Sequence, residues 1–344
     1  MPEKFVIAVD AMGGDNAPGA VCEGAIEAVR EFPDILVQLY GAEGALREKL
    51  GGVIPERIQI IHAPDVIGMH EAPMLAVRHK TDSSLVKAVL AVKGGEAQAV
   101  VSAGSTGALL ACGMIRAGRI RGVERPALLT VLPGRKKPFV LIDSGANVDS
   151  QPKYLLNFGL MGAIYARQVL KIENPTVGLL NIGSEEEKGN QLTRQAYALM
   201  REQSVYDFIG NVEAREVPNG GADVVVADGF DGNVLLKYTE GLAGALMGML
   251  KDQMSAGLRN KLGALLLMPA LRNFKRSTDY EEYGGAPLLG VEGALIKAHG
   301  SSGARAFKNA IRQARAMAEG NVVGIIRSGV ERLTSDASKE GGTA

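Results

Sequence analysis

Short apolar runs, each closed by a polar turn, recur along the 344-residue chain. Residues 5–9, 35–40, 58–63, 98–102, 176–181, 208–212, 223–227 and 291–298 have the length and composition of buried strands. Segments with helical apolar spacing separate them, at 42–50, 152–170, 185–203 and 303–320, and another helix starts at Pro18. Strands alternating with helices predict a parallel sheet covered on both faces. Residues 126–132 and 139–143 flank the basic turn Pro133-Gly134-Arg135-Lys136-Lys137-Pro138 and predict an antiparallel pair, whereas 282–290 reads as a loop.

The turns after the strands carry the candidate chemistry. Asp10-Ala11-Met12-Gly13-Gly14-Asp15-Asn16 crowds two aspartates and an asparagine, fit for local capping or for a ligand. Ser105, Thr106 and Gly107 open a helix after a glycine turn, which reads as a small-anion cradle or a simple cap. The spacing is neither that of a Walker loop nor that of a dinucleotide fold. Asp143 to Asp149 holds Asn147, and Asp228 to Val234 holds Asn233. After Asn181 come Gly183, Ser184 and Glu187, a capping-box pattern that predicts a helix from Glu185. Lys188 would then lie on the first turn, where a cation opposes the helix dipole, so an anionic ligand is one reading and a solvated lysine the other. Four such turns carry glycine with Ser, Thr, Asn or Asp. Ligands of open α/β sheets sit outside the carboxyl ends of the strands, so a converging site on one edge is expected. Residues 66–84 form a long polar loop with His70 and His79, and loops of that length in compact domains are usually functional.

Residues 241–276 change the texture. An apolar stripe runs through Leu258, Leu262, Leu265, Leu266, Leu267 and Met268, with Pro269 expected to break the helix. Lys251, Arg259, Lys261, Arg272, Lys275 and Arg276 face the single acid Asp252. A helical hairpin with an apolar tip and basic flanks suits an anionic membrane surface, an acidic partner or a dimer interface. One domain over 1–334 is expected, including this amphipathic hairpin at about 240–277, with a polar, disordered tail at 335–344.

Composition narrows the class. Charges balance, with 38 basic and 38 acidic residues, so no global field favours nucleic acid. Cys22 and Cys112 lie in apolar helical patterns and read as core residues of a reducing compartment, with no disulfide or metal framework. A strand beginning at residue 5 leaves no room for a signal peptide, and no run of 18 apolar residues exists.

Seven segments, in order, carry a resemblance over nearly the whole chain: residues 8–18, 70–84, 102–107 (Ser-Ala-Gly-Ser-Thr-Gly), 142–147 (Ile-Asp-Ser-Gly-Ala-Asn), 180–190, 227–233 (Ala-Asp-Gly-Phe-Asp-Gly-Asn) and 297–302 (Lys-Ala-His-Gly-Ser-Ser). Together they closely resemble the bacterial phosphate acyltransferases of phospholipid synthesis, acyl-acyl-carrier-protein:phosphate acyltransferases. The resemblance implies a three-layer α/β/α Rossmann-like fold, isopropylmalate-dehydrogenase-like and related to phosphotransacetylases, with a protruding helical hairpin, and a homodimer. It implies transfer of a long fatty acyl group from the acyl carrier protein thioester to inorganic phosphate. The acyl phosphate would pass to a membrane glycerol-3-phosphate acyltransferase, the enzyme being cytoplasmic and peripherally attached to the inner face of the membrane, with no cofactor and no metal.

With that chemistry, phosphate binding is assigned to Ser105, Thr106 and Gly107 with Asn147, Asn181, Gly183 and Ser184. Lys188 is assigned to charge neutralisation and Asn233 to a hydrogen bond on the thioester carbonyl. Asp10 and Asp228 would orient Lys188 or the turns, and His70 or His299 would protonate the leaving thiolate, unless so good a leaving group needs no acid. Arg259, Lys261, Arg272, Lys275 and Arg276 would dock an acidic carrier protein or anionic lipid beside the tip leucines. Competing readings are a phosphotransacetylase using acyl-coenzyme A, a nicotinamide-dependent dehydrogenase and a non-catalytic membrane scaffold.

Overall fold

The structure, a computed structural model, describes residues 5–278 and 280–340; at 272, 273, 275–278, 280, 281 and 336–340 it describes the backbone alone. The first half holds β1 (Phe5–Asp10), α1 (Gly19–Glu31), β2 (Ile35–Gly41), α2 (Glu43–Lys49) and β3 (Ile58–His62). Then come α3 (Pro73–His79), α4 (Ser84–Lys93), β4 (Ala99–Ser102) and α5 (Thr106–Cys112), which continues as a π-helical turn, Gly113–Ala117. The second half holds β5 (Ala127–Leu132), β6 (Phe139–Ile142), α6 (Pro152–Gln168), β7 (Thr176–Asn181), α7 (Gln191–Glu202), β8 (Asp207–Glu213) and β9 (Val224–Val226). It is followed by α8 (Gly229–Ser255), α9 (Leu258–Thr278), β10 (Ala286–Leu289), β11 (Ala294–Lys297), α10 (Ala304–Glu319) and α11 (Val322–Glu340).

One sheet runs β3-β2-β1-β4-β11-β10-β5-β6-β9-β7-β8. Its inner strands are apolar on both faces, as a sheet covered by helices on both sides requires. Residues of α1, α6, α7, α10 and α11 pack on one face with Ile7, Val140 and Ile296. On the other face α3, α4 and α5 cover Ala8, Val100 and Leu295, and the start of α8 covers Leu141 and Val225. The three-layer α/β/α expectation is met.

The expectation of one common strand-end edge is not. β1, β2, β3, β4 and β11 run parallel to one another. Three successive antiparallel pairings, β11–β10, β10–β5 and β5–β6, then reverse the chain direction. β6, β9, β7 and β8 are mutually parallel and point the opposite way. The turns after β6, β7 and β9 therefore leave the sheet away from those after β1, β4 and β11, and any shared site lies at the short central strands where the halves meet.

Other local expectations also change. Residues 182–190 form turns, and α7 begins only at Gln191, where the Asn190 side chain accepts from Thr193 N at 2.9 Å. Gly189, at φ +94°, interrupts any helix begun at Ser184. The 66–84 loop contains α3, started by Pro73. Strand β10 lies inside the expected 282–290 loop. Pro269 sits within α9. The last helix continues past Thr334 to Glu340, so residues 335–340 are helical rather than a disordered tail, and 341–344 fall outside the described residues.

Gly229 and Gly232 of α8 are buried and Leu235 and Leu236 half-buried against the core; from about Gly241 this 27-residue helix stands off the body, rising about 1.5 Å per residue, and the chain returns as α9. Among the described residues, no helix is long and apolar enough to cross a membrane.

Candidate active site

Asp10, Ser102 and Lys297 lie side by side at the ends of three adjacent strands, since Asp10 pairs with Ser102 in register and Ser102 with Lys297. Asp10 is buried and accepts from Ser84 Oγ at 2.5 Å and Ser102 Oγ at 2.7 Å. Burial pushes its carboxyl above the ordinary range, and these hydrogen bonds pull it back only in part. Gly13 makes the row possible, because a Cβ there would stand 2.5 Å from Asp10 Oδ2 and 2.7 Å from Gly104 N. The loop after β1 is tied to the loop after β11, with Asp15 N donating to Gly300 O at 2.8 Å and Asn16 Nδ2 to Ser301 O at 3.0 Å.

Lys297 is 9% exposed. Its ammonium donates to Ala298 O and, at 3.5 Å, to Ala103 O. Burial lowers its pKa to about 8, against the pull of Asp10 and Asp15.

The other half is organised by Asp143. This buried carboxylate accepts from Leu128 N at 3.0 Å, Ala146 N at 2.9 Å, Asn147 N at 2.8 Å and Asn147 Nδ2 at 2.9 Å. It thereby folds the 143–147 turn onto β5. Helix α8 docks on that turn through its glycines. A Cβ at Gly229 would collide with Asn147 O, and one at Gly232 with Asp143 O. Asp228 caps α8, accepting from Phe230 N at 2.8 Å and Asp231 N at 2.9 Å. Asn233, which follows Gly232, lies against Gly145, where φ is +135° and a Cβ would stand 3.2 Å from the Asn233 amide.

A cavity of ≈ 400 Å³ opens between α5 and the start of α8, over the central strands. Thr106, Asn233, Lys297, His299 and Ser302 share its wall, with Lys237 and Glu240 from α8. The reversed halves thus meet here. His299, exposed at the rim, accepts through Nδ1 from Ser301 N at 3.3 Å, which places the proton of a neutral ring on Nε2.

Of the sequence-predicted residues, this cavity gathers Thr106, Asn233 and His299. Ser105 caps α5, with Ala108 N donating at 3.5 Å, and Gly107 clears room for Pro73, whose Cγ would lie 2.7 Å from a Cβ. Asn147 spends its amide on Asp143 and Pro126 O. Asp10 stands beside Ser102 in the row that ends in Lys297, and Asp228 is a cap. His70 is exposed and lines no part of the cavity.

Asn181, Gly183, Ser184 and Lys188 belong to the turn after β7 and do not line it either. Asn181 closes that turn, donating to Lys188 O at 3.1 Å and to Asn211 Oδ1 at 3.0 Å. Lys188 is exposed, its Cγ 2.9 Å from where a Gly183 Cβ would stand. Of the two tasks expected of Asp10 and Asp228, orienting Lys188 or the turns, their bonds serve the turns. Asp10 bonds to serines and Asp228 to backbone amides.

Sequence reasoning passed over Lys297 and Ser302, although both lie in the quoted segment 297–302. A lysine ending a fully apolar run was the available signal.

Along the hairpin, Leu265, Met268 and Lys261 line a second cavity, ≈ 610 Å³, between α8 and α9. Leu258, Leu262, Leu266 and Leu267 are exposed, Leu266 at 83%, and Arg259 is exposed beside them. The side chains of Arg272, Lys275 and Arg276 lie outside the described residues. Among the described residues, no group of three His, Cys, Asp or Glu side chains could hold a metal ion.

Two solved structures share this architecture. A phosphotransacetylase from Staphylococcus aureus matches with TM-score 0.61 at 14% identity, covering 92% of this chain and 94% of that one. A branched-chain phosphotransacylase from Enterococcus faecalis V583 matches with TM-score 0.57 at 15% identity, covering 91% and 99%. These define the fold. Residues 5–324 match the family described as "Fatty acid synthesis protein". A phosphate acyltransferase of Clostridium perfringens (strain SM101 / Type A) is 50% identical over 336 residues, 97% of this chain and 99% of its own. One from Clostridium botulinum (strain Loch Maree / Type A3) is 49% identical over 331 residues, 96% and 98%. The chain belongs to this family, the phosphate acyltransferases, and is a transferase.

Proposed function

We propose that the protein transfers a long-chain fatty acyl group from acyl carrier protein to inorganic phosphate, in the cavity beside α8. The observation that carries this reading is that α8 is shared. Its first turns wall the polar cavity, and its distal turns form the apolar hairpin. A thioester whose carbonyl enters the cavity can lay its chain along the helix toward the apolar tip.

Phosphate needs no enzyme nucleophile. One of its oxygens attacks the thioester carbon, the C–S bond breaks, and the thiolate leaves and takes a proton from water or from the imidazolium form of His299, whose Nδ1–H would donate to Ser301 Oγ. Asn233 Nδ2 donates to the carbonyl oxygen as it gains charge. Thr106 and the lysines hold the anion in place. Lys188 is assigned the same neutralising task from the turn after β7, reached from outside the cavity wall.

The acyl phosphate is a reactive, lipophilic product suited to direct use by a membrane glycerol-3-phosphate acyltransferase. We place the enzyme in the cytoplasm, as a homodimer on the inner face of the membrane. Arg259, Lys261, Arg272, Lys275 and Arg276 give the hairpin its basic flank for anionic lipid or an acidic carrier protein. The double substitution Leu266→Glu with Leu267→Glu is expected to abolish sedimentation with anionic vesicles and to leave turnover of a soluble short-chain donor unchanged. Retained vesicle binding would contradict the anchoring role.

The donor is tested by comparing kcat/KM for palmitoyl-acyl carrier protein and palmitoyl-coenzyme A, with the acyl phosphate trapped by hydroxylamine. Preference for the carrier protein is expected; preference for coenzyme A would overturn the donor assignment.

A further inference from the structure

The cavity holds a buried cation that forms no ion pair among the described residues. Lys297 is 9% exposed, and the bonds its ammonium makes among the described residues go to two uncharged carbonyl oxygens, Ala298 O and Ala103 O. An ammonium has three protons to donate, so one remains for the cavity that Lys297 lines. A charge held away from water without a counter-ion is costly. Asp10, its neighbour two strands away in register, already accepts from two serine hydroxyls and does not pair with it.

A second polar group lies in the same wall. Ser302 is 2% exposed, lines the cavity, and its hydroxyl makes no hydrogen bond among the described residues. It immediately precedes Gly303, the N-cap of the 16-residue α10, which has no side-chain cap. Ala306, in the first turn of α10, also lines the cavity. A buried cation beside the positive end of a helix is unfavourable unless an anion lies between them.

We propose that Lys297, Ser302 and the first turn of α10 form the subsite that binds the acceptor phosphate, with Thr106, which opens α5 after the neighbouring strand β4, closing it. This rests on the acyl-transfer reading of the same cavity. Lys297 supplies one charge-assisted bond, Ser302 a hydroxyl and α10 its free N–H groups. Asn233 lines the same cavity from the start of α8, so a phosphate held in this subsite shares that space with the carbonyl donor. A phosphate ester on the prosthetic arm of a thioester donor offers the same chemistry, and the test separates the two.

The groups facing Lys297 are Asp10 and Asp15 from β1 and its loop, His299 from its own segment, Lys237 and Glu240 from α8, and Tyr283. Its ammonium loses its proton near pH 8. Wild-type phosphate affinity is therefore expected to fall above pH 8.

The experiment measures acyl phosphate formation against phosphate and against thioester concentration in wild type, Lys297→Met, Lys297→Arg and Ser302→Ala. Inorganic phosphate is also titrated calorimetrically into each full-length protein without donor. In Lys297→Met the phosphate KM and Kd are expected to rise roughly tenfold or more, the loss of one charge-assisted bond, with the thioester KM unchanged. Lys297→Arg is expected to recover most of the affinity and to keep it above pH 8, because a guanidinium stays charged.

Unchanged phosphate binding in a Lys297→Met protein that melts with wild type would overturn the proposal. So would a defect confined to the thioester KM, which would assign the subsite to the donor's own phosphate. Should Lys297→Met fail to fold, the pH profile of Lys297→Arg and the phosphate KM of Ser302→Ala decide in its place. If wild type forms no acyl phosphate from any thioester, the acyl-transfer reading fails, while calorimetry still reports on Lys297.

Discussion

Asn233→Ala is expected to lower kcat by on the order of a hundredfold, the usual loss when one preorganised oxyanion donor is removed, while the protein melts with wild type. The residue is not a helix cap, since Asp228 performs that task, so its removal leaves α8 intact. Its amide is held against the Gly145 backbone and faces the cavity. A group so placed costs little reorganisation when charge develops on the carbonyl oxygen. Asn233→Asp keeps the shape and replaces two donors by a negative charge, so it should be no better than alanine. Steady-state kinetics with saturating phosphate gives kcat directly, and near-normal turnover in both variants would remove Asn233 from the mechanism. Lys188→Ala in parallel separates the two turns. A comparable loss would bring the exposed 182–190 turn to the reacting groups, and retained turnover would leave Lys297 as the working cation.

Gly232→Ala is expected to destabilise the protein by about 3 kcal/mol, the upper end of overpacking costs. The added methyl meets the backbone carbonyl of Asp143, which its turn holds through four amide hydrogen bonds to the Asp143 carboxylate and cannot yield as a side chain tip would. Helix α8 must lift off, carrying Asn233 away from Gly145, so activity is lost along with stability. Gly244→Ala is the matched control on the same helix. Nothing lies within 4 Å of its Cβ position, so the change should be neutral or stabilise by up to about 1 kcal/mol through helix propensity. Thermal unfolding of the pair checks this. Equal melting temperatures would show that α8 does not depend on close contact with the 143–147 turn.

Much of the layout was legible in the sequence because burial on both faces leaves a simple mark. The run 176–181 and the pair around Pro133–Pro138 appear as read. Hairpin helices α8 and α9 also follow the expected stripe, although Pro269 is accommodated inside α9. What the sequence concealed is long-range. Strand direction depends on which neighbours pair, and the short run 286–289, with Pro287 in it, did not read as a strand. Yet β10 supplies two of the three reversals that turn the second half around.

The turn after β7 misled for a local reason. Ser184 and Glu187 have capping-box spacing, but Gly189 in the left-handed region and the Asn190 cap start the helix later. Asp10 and Asn147 were chosen as polar residues in glycine turns, and both hold those turns in shape. Lys297 was missed for the converse reason. It ends an apolar strand, where a charge has no local explanation, and only the assembled cavity supplies one.

The most direct test of the account is thiol release from long-chain acyl-acyl carrier protein, followed with and without inorganic phosphate. Release that requires phosphate, matched mole for mole by an acyl product that hydroxylamine traps, is the predicted result. Release at the same rate without phosphate, yielding free fatty acid, would contradict it.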